Sequence, residues 1–541
     1  MYIFYYFLLS FNIVGYGYLL SKFLSIETKN FGILGLFGIS LLILISYLSS
    51  IFFRHGYFFN SIIFIFGIIL FFYFIINTKI IISDIVIYFS VFLILLIFIL
   101  AGKNHDDFSY YHFPYSMIIS EFSHPIGLGH LNNGFRNPSS IFFLNSLFYL
   151  PKIDYYLFHI SSAFFLGFSN IILIKKIFNE QYFNKINLIN LLSLISILFI
   201  NIFFYRMAEY GTDRSAQILI ILVIIFSLII LNEKTDQKQI TINNLFVIFI
   251  LISLALSIKP IFLLYSPLIL ILLFSKNIKS LFKEIIFSKT VVYCLIFVSF
   301  YFFYNLTNSG CLVYPATFTC LEFLSWTVDI DYVKSVNIWY ELWSKGGASP
   351  NFVVEDRLHY ISGFNWLPRW IEIYFFNKVS DFLLGLATLS LIIFLFFFKG
   401  TTLNKKFNYF FIYLFLFLIF IEWFLKHPTL RYGGYHVIAL LIFIPLSIYL
   451  SKKKITYEQF KKKSIILILI GITVFYARNI KRLYQEYTNY EYNPLVNTNY
   501  KFTEAKDFYF RYNSIIKDKI DNYDKKEFFG KTITIIKKDE N

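Results

Sequence analysis

A chain of 541 residues is long enough for several soluble domains, but 58% of it is hydrophobic and only 15% is charged. Soluble globular chains carry about 25% charged residues. With a mean hydropathy of +0.65, this composition excludes a soluble protein and fits an all-α polytopic membrane protein. The net charge of +16 invites a nucleic-acid reading, yet the lysines cluster between apolar runs, which is a topology signal. No nucleic-acid partner is expected. The 71 Phe and 42 Tyr read as the codon bias of an AT-rich genome, so aromatic stripes carry little functional information.

About 20 apolar residues are needed to cross a hydrocarbon core of roughly 30 Å. About fourteen runs qualify, near 2–20, 31–52, 57–76, 80–100, 154–174, 186–205, 216–231, 245–257, 261–275, 285–304, 380–398, 407–425, 435–450 and 464–477. Those at 216–231, 245–257 and 261–275 are short enough to be tilted, broken or merged. The opening MYIFYYFLLS lacks the basic region and small-residue site of a cleavable signal, so the first span is expected to stay as an anchor. Lys22 and Lys29 follow that span and nothing basic precedes it, which predicts an external N-terminus. Alternation then puts Lys79, Lys175, Lys176, Lys185, Lys399 and the triplets Lys452–Lys454 and Lys461–Lys463 inside, and returns the C-terminus outside.

Three long stretches fall outside the membrane: 101–153, 305–379 and 478–541. Connections above about 15 residues are uncommon and often functional. In the second of them, eight residues lie between Cys311 and Cys320. A loop that short closes easily, and an oxidising compartment favours a disulfide; the alternative is two neighbouring free thiols. The tail 478–541 is charged, Tyr-rich and nearly balanced in sign, and reads as a small folded appendage or a partner-binding segment.

The first long loop is the richest in chemistry. His105, Asp106 and Asp107 come within seven residues of a span end. Such carboxylates can simply solvate the end of a span. Here, however, the apolar and aromatic stretch from Phe108 to Phe122, with His112, Ser116 and Glu121 interspersed, predicts an interfacial amphipathic helix. That helix would hold the carboxylates over the bundle. Further on, the glycines at 127, 129 and 134 lack the spacing of a dinucleotide fingerprint. A tight turn presenting Arg136 and Asn137 is the better reading, with Arg136 either binding a phosphate bidentately or neutralising lipid head groups.

Other polar groups sit where a purely structural span would not put them. MAEYGTDRSAQ places Glu209, Asp213 and Arg214 at the mouth of two spans. Lys259 interrupts an apolar stretch just before Pro260; it either faces a cavity or counter-charge, or snorkels to the surface. KHPTLRYGGYH brings Lys426, His427, Arg431, Tyr432 and His436 into one short turn, where Gly433 and Gly434 allow close backbone approach. Carboxylates together with Lys and Arg suit group transfer from a phosphorylated donor: a base deprotonates the acceptor hydroxyl while cations stabilise the departing phosphate.

This layout resembles the GT-C class of membrane glycosyltransferases. Asp106–Asp107 and YYHFPY look like its acidic motif and the stretch beyond it. GTDRSAQILIILVI, LSIKPIFLLYSPLILILL, NSGCLVYP and HPTLRYGGYHVIAL look like its later motifs in the same order. The chain also resembles an uncharacterised group of bacterial polytopic membrane proteins. The GT-C resemblance covers roughly 85–450. It implies extra spans over 1–84, a core over 85–450 with large loops at 101–153 and 305–379, a basic loop and last span over 451–477, and the tail 478–541. Two departures stand out: three spans precede the family's first, and the acidic pair is adjacent. Neighbouring helical positions face apart, so one Asp is expected to be catalytic and the other supporting.

The resemblance further implies a bacterial inner-membrane enzyme that moves a sugar from a polyprenyl-phosphate donor to an extracytoplasmic acceptor by a single inverting displacement. Asp107 or Asp106 would act as base. His105, His112, Arg136, Asp213, Arg214, Lys259, Arg431 and Tyr432 would bind substrate. No cofactor is required; a divalent cation, Mg²⁺ or Mn²⁺, would use Asp106 and Asp107 if one binds. Lipid-linked donor and membrane lipids are the expected partners. The rival readings are a transporter or flippase of a lipid-linked or anionic substrate, and a polysaccharide ligase or polymerase.

Overall fold

A computed structural model of the chain describes residues 1–100, 107–209, 211–233, 238–275, 278, 282–349, 352–490, 524–528 and 531–537. The first helices are α1 (Tyr2–Phe23), α2 (Phe31–Ser50), α3 (Tyr57–Asn77) and α4 (Ile82–Ile94), the last running on as a 3₁₀ turn to Leu100. In the first long loop lie α5 (Phe113–Glu121) and α6 (Ser140–Leu147). The chain then re-enters the bundle through α7 (Ile160–Ile177), α8 (Glu180–Phe203), α9 (Thr212–Asn232) and α10 (Lys238–Ile258). Beyond these come α11 (Pro267–Leu273), α12 (Phe282–Ile286) and α13 (Lys289–Ser309). The second long loop holds α14 (Ile330–Lys345), α15 (Arg357–Ile361) and α16 (Leu367–Trp370). The bundle finishes with α17 (Ser380–Phe397), α18 (Phe410–Lys426), α19 (Gly434–Ser451) and α20 (Tyr457–Tyr490).

Among the described residues, 12 helical segments are long and apolar enough to cross a membrane, as a multi-pass membrane protein requires. Each of the fourteen expected runs contains helix, and two fall short of a full span. The run at 261–275 is a 3₁₀ turn, Pro260–Tyr265, followed by the seven-residue α11. Pro260 and Pro267 each lack an N–H, which breaks the i to i−4 ladder there twice. The run at 407–425 forms the 17-residue α18.

α7 and α9 are the most enclosed helices, whereas α3, α17 and α20 turn most of their apolar surface outward. Aliphatic and aromatic side chains such as Phe58, Ile76, Leu384 and Leu469 are exposed on these outer helices, the surface that a bilayer solvates. The first three helices belong to the same core. α1 and α2 cross with their backbones in contact: a methyl group on Gly17 would overlap the Leu34 carbonyl, and one on Gly38 the Ile13 carbonyl. Buried polar groups tie these helices to later ones, with Ser40 Oγ 2.7 Å from the Tyr293 hydroxyl and Ser46 Oγ donating to the Phe143 carbonyl at 2.8 Å. Asn60 Nδ2 donates to the carbonyls of His55, Ser146 and Tyr149, each at 2.8 Å, which fastens the start of α3 to the first loop.

The segment after Asp107 corrects the expectation of an amphipathic surface helix. It begins as a π-helix over Phe108–His112 and passes into α5, in which every residue from Phe113 to Ser120 is buried. α6 covers one side, and aromatic rings close the rest: Phe113 meets Tyr155 at 5.1 Å, and Tyr115 meets Phe135 at 5.4 Å. Its polar stripe is spent inside the helix, with Ser116 Oγ donating to the His112 carbonyl at 3.1 Å and Ser120 Oγ to the Ser116 carbonyl at 3.0 Å, so the loop folds over it.

The expected tail 478–541 begins inside α20, which runs on to Tyr490; its other described part is a hairpin of β1 (Asp524–Phe528) and β2 (Lys531–Ile535), paired antiparallel with Asp524 opposite Ile535. Its far end is added to the first long loop. Ile126 N–H donates to the Thr534 carbonyl at 3.0 Å, and Ile536 N–H donates to the Ile126 carbonyl at 2.9 Å. The Ile536 side chain is fully buried there.

Candidate functional site

Four segments far apart in sequence bring charged groups to one end of the bundle. Asp107 immediately precedes the π-helix, and Asp213 lies in the first turn of α9. Lys259 follows the last residue of α10 in extended conformation, φ −154° and ψ 126°, so its side chain leaves the helix axis. Arg431 and Tyr432 form a 3₁₀ turn with Leu430 between α18 and α19. Gly433, at φ 114°, lets the chain reverse from that turn into α19.

Arg431 is the hub. Its Nε donates to Asp213 Oδ2 at 2.6 Å and its Nη2 to Asp107 Oδ2 at 3.0 Å, so one guanidinium bridges both carboxylates. The other oxygen of Asp213 pairs with Lys259 Nζ. That ammonium also lies 4.7 Å from the centre of the Tyr432 ring, a cation–π contact. Asp213 is thus held by two cations and its carboxyl is 10% exposed, against 28% for Asp107. The better-sealed carboxylate orders the cations; the other is the more open to solvent.

The turn carrying Arg431 is fixed on several sides. Gln217, one turn beyond Asp213 on α9, donates through Nε2 to the Arg431 carbonyl at 3.0 Å. Trp423 Nε1 donates to the Thr429 carbonyl at 2.7 Å and Trp370 Nε1 to the Pro428 carbonyl at 2.9 Å. The Tyr374 hydroxyl accepts from Leu430 N–H at 2.9 Å. Such support keeps a charged group in place without reorganisation. Burial weakens the Arg431 cation, but Asp213, Tyr111, Tyr432 and Asp107 outweigh it and hold its pKa well above the ordinary value.

Aromatic side chains from the two long loops surround the cluster. Trp343 and His427 meet the Tyr432 ring at 5.7 and 5.9 Å. Burial pushes the Tyr340 hydroxyl up to about 12 and brings the His427 imidazole down to about 4, so both stay neutral near pH 7. Tyr340 lies within electrostatic reach of Asp107, Arg431 and Arg136. Tyr111, Tyr340, Trp343 and Gln217 are site residues that the sequence reading missed. For Tyr340 and Trp343 a signal existed: Tyr332, Trp339, Tyr340 and Trp343 recur along the one strongly amphipathic helix of the second loop, α14.

The remaining expectations divide. His105 and Asp106 lie outside the described residues. Arg136 is not presented to solvent: it is buried, donates to the Gly129 carbonyl at 2.9 Å and the Tyr314 hydroxyl at 3.2 Å, and rests 4.5 Å from the Tyr332 ring centre. It ties the first loop to the second, the disulfide-bearing one. Arg214 turns away from Asp213, as adjacent positions on a helix must, and packs on Phe204 at 5.9 Å. His112 is buried against Tyr111 and Phe142. Cys311 and Cys320 form the expected disulfide. Among the described residues, no group of three or more His, Cys, Asp or Glu converges as a metal site would require.

No curated protein and no solved structure matches the chain. A family model described as a domain of unknown function, DUF8201, matches residues 1–439, a span that contains every member of the charged cluster. The chain belongs to that family.

Proposed function

We propose that the protein is a GT-C-like membrane glycosyltransferase that moves a sugar from a polyprenyl-phosphate donor to an acceptor on the outer face of a bacterial inner membrane. The observation that carries this reading is the convergence of Asp107, Arg431, Asp213 and Lys259 at one end of a hydrophobic bundle. Two fixed cations beside a half-open carboxylate suit a reaction in which an acceptor gives up a proton while a phosphate departs.

In this mechanism Asp107 takes the proton of the acceptor hydroxyl as its oxygen attacks the anomeric carbon. The bond from that carbon to the phosphate oxygen breaks, with inversion, and the lipid phosphate leaves as an anion. Arg431 and Lys259 stabilise that anion; Asp213 keeps both cations in position. The Tyr432 and Trp343 rings, packed edge to face, offer the sugar apolar surface beside the cations. A divalent cation is not required by this chemistry, and Asp107 would be its ligand if one takes part.

The test compares surface glycans and lipid-linked sugars by mass spectrometry in host cells with the intact gene, a deletion, and the deletion complemented with Asp107→Asn. Loss of one sugar unit in both altered strains, with the sugar-lipid accumulating, supports the proposal. Unchanged glycans in all three would sink it and favour transport of a lipid-linked or anionic substrate.

A further inference from the structure

A charged cavity separate from the Arg431 cluster lies beside the turn that joins α8 to α9. It has a volume of about 400 Å³ and is lined by Tyr205, Arg206, Arg478, Arg482 and Glu486, among others. The last turns of α20 form one wall, and the chain between α8 and α9 forms the other. At its base Glu209 accepts from Arg206 Nε at 2.8 Å and pairs with Arg482 at 3.4 Å, while Glu486 lies 3.7 Å from Arg482.

Two features point to an anionic ligand. First, the cations Arg206, Arg478, Lys481 and Arg482 outnumber the carboxylates Glu209 and Glu486 by two. Second, Arg482 is only 7% exposed; its Nε faces Glu486 at 3.7 Å, and its Nη2 has no hydrogen-bond partner among the described residues. A buried guanidinium with an unsatisfied donor beside a cavity is a costly arrangement unless something accepts from it.

The position of the cavity selects the source of that anion. At 1.5 Å per residue, the 34 residues of α20 extend about 50 Å, well beyond a hydrocarbon core of roughly 30 Å. Its apolar stretch ends at the turn carrying Arg478, which lies 3.9 Å from the Tyr205 ring centre. The cavity therefore sits at head-group level.

We propose that this cavity binds the phosphate of an anionic phospholipid head group. Basic pockets between membrane helices recognise head groups by this same chemistry. The site is independent of the glycosyltransferase reading, because its ligand stays bound without reacting.

Native mass spectrometry of the full chain in detergent, titrated with phosphatidylglycerol, phosphatidylcholine or inorganic phosphate, tests it. Retention of phosphatidylglycerol at least tenfold above phosphatidylcholine is expected. Lys481→Glu, at an exposed position, is expected to weaken retention about tenfold with the fold unchanged, and Arg482→Gln by more. Equal retention of both lipids, or retention unaffected by Lys481→Glu, would overturn the proposal. So would displacement by inorganic phosphate without any preference for phosphatidylglycerol, which would mark a site for soluble phosphates. Because the readout is binding, neither result depends on any transferase activity.

Discussion

Asp213 is paired twice, and neutralising it tests whether the cluster is held as described. In Asp213→Asn, Lys259 loses its carboxylate in a setting where Asp213 is 10% and Lys259 24% exposed. Breaking a buried pair costs about 3–5 kcal/mol because the remaining charge is stranded. Partial solvent access to Lys259 brings this to about 2 kcal/mol. The contact with Arg431 adds less than about 1 kcal/mol, since that side chain is 37% exposed and keeps Asp107. The single variant should therefore lose about 3 kcal/mol. Lys259→Met, which leaves Asp213 its arginine, should lose about 2 kcal/mol. If the two groups act through each other, the double variant loses no more than about 3 kcal/mol, a coupling of about 2 kcal/mol. Equilibrium unfolding of the purified protein in mixed micelles measures all three. A coupling below about 0.5 kcal/mol would refute the reasoning, because the losses would then come from independent packing defects.

Asp107→Asn makes a contrasting case: its pairing with Arg431 is solvent-accessible, so stability should fall by less than about 1 kcal/mol while sugar transfer disappears. A large loss of stability in that variant would mark Asp107 as structural. Cys311 and Cys320 should resist alkylation until reduced, and replacing both with Ser should cost about 2–3 kcal/mol for so short a closed loop; ready alkylation of the unreduced protein would contradict the disulfide. Acid should destabilise the fold, because burial lowers the imidazoles of His55 and His124 to about 3 and of His427 to about 4. The unfolded chain takes up protons near pH 6.5 that the folded chain refuses, so stability present above that value is lost as pH falls toward about 4 and below. In a thermal-unfolding series over pH, His427→Gln should flatten part of this slope; an unchanged slope would count against the burial of that ring.

Much of the fold was legible because each span announces itself by apolar length, and Pro260 marked the break that divides one run. Asp213, Lys259 and Arg431 were also legible, since charges at the rim of apolar helices need partners. Their mutual pairing was not, because nothing local links residues separated by most of the bundle. Arg136 shows the converse failure. A glycine-rich turn with an arginine predicts exposure, yet the second loop supplies the Tyr314 hydroxyl and the Tyr332 ring that enclose it. The stretch from Phe108 was misread for a related reason: a short apolar helix looks interfacial until the loop that covers it is in place. Arg214 fails on geometry alone, because its neighbour already occupies the side of α9 that faces the cluster.

The addition of β2 to Ile126 has a consequence for how the protein is made. The ribosome delivers Ile126 early and Thr534 to Ile536 only after the 12 apolar helical segments among the described residues. Until then the backbone of the first loop lacks its pairing strand, and Ile536 has not filled its place beside Gly127. The loop bearing Asp107 therefore gains this pairing only after the helices that precede the hairpin have been made, and until then it holds its place by its packing on the bundle alone.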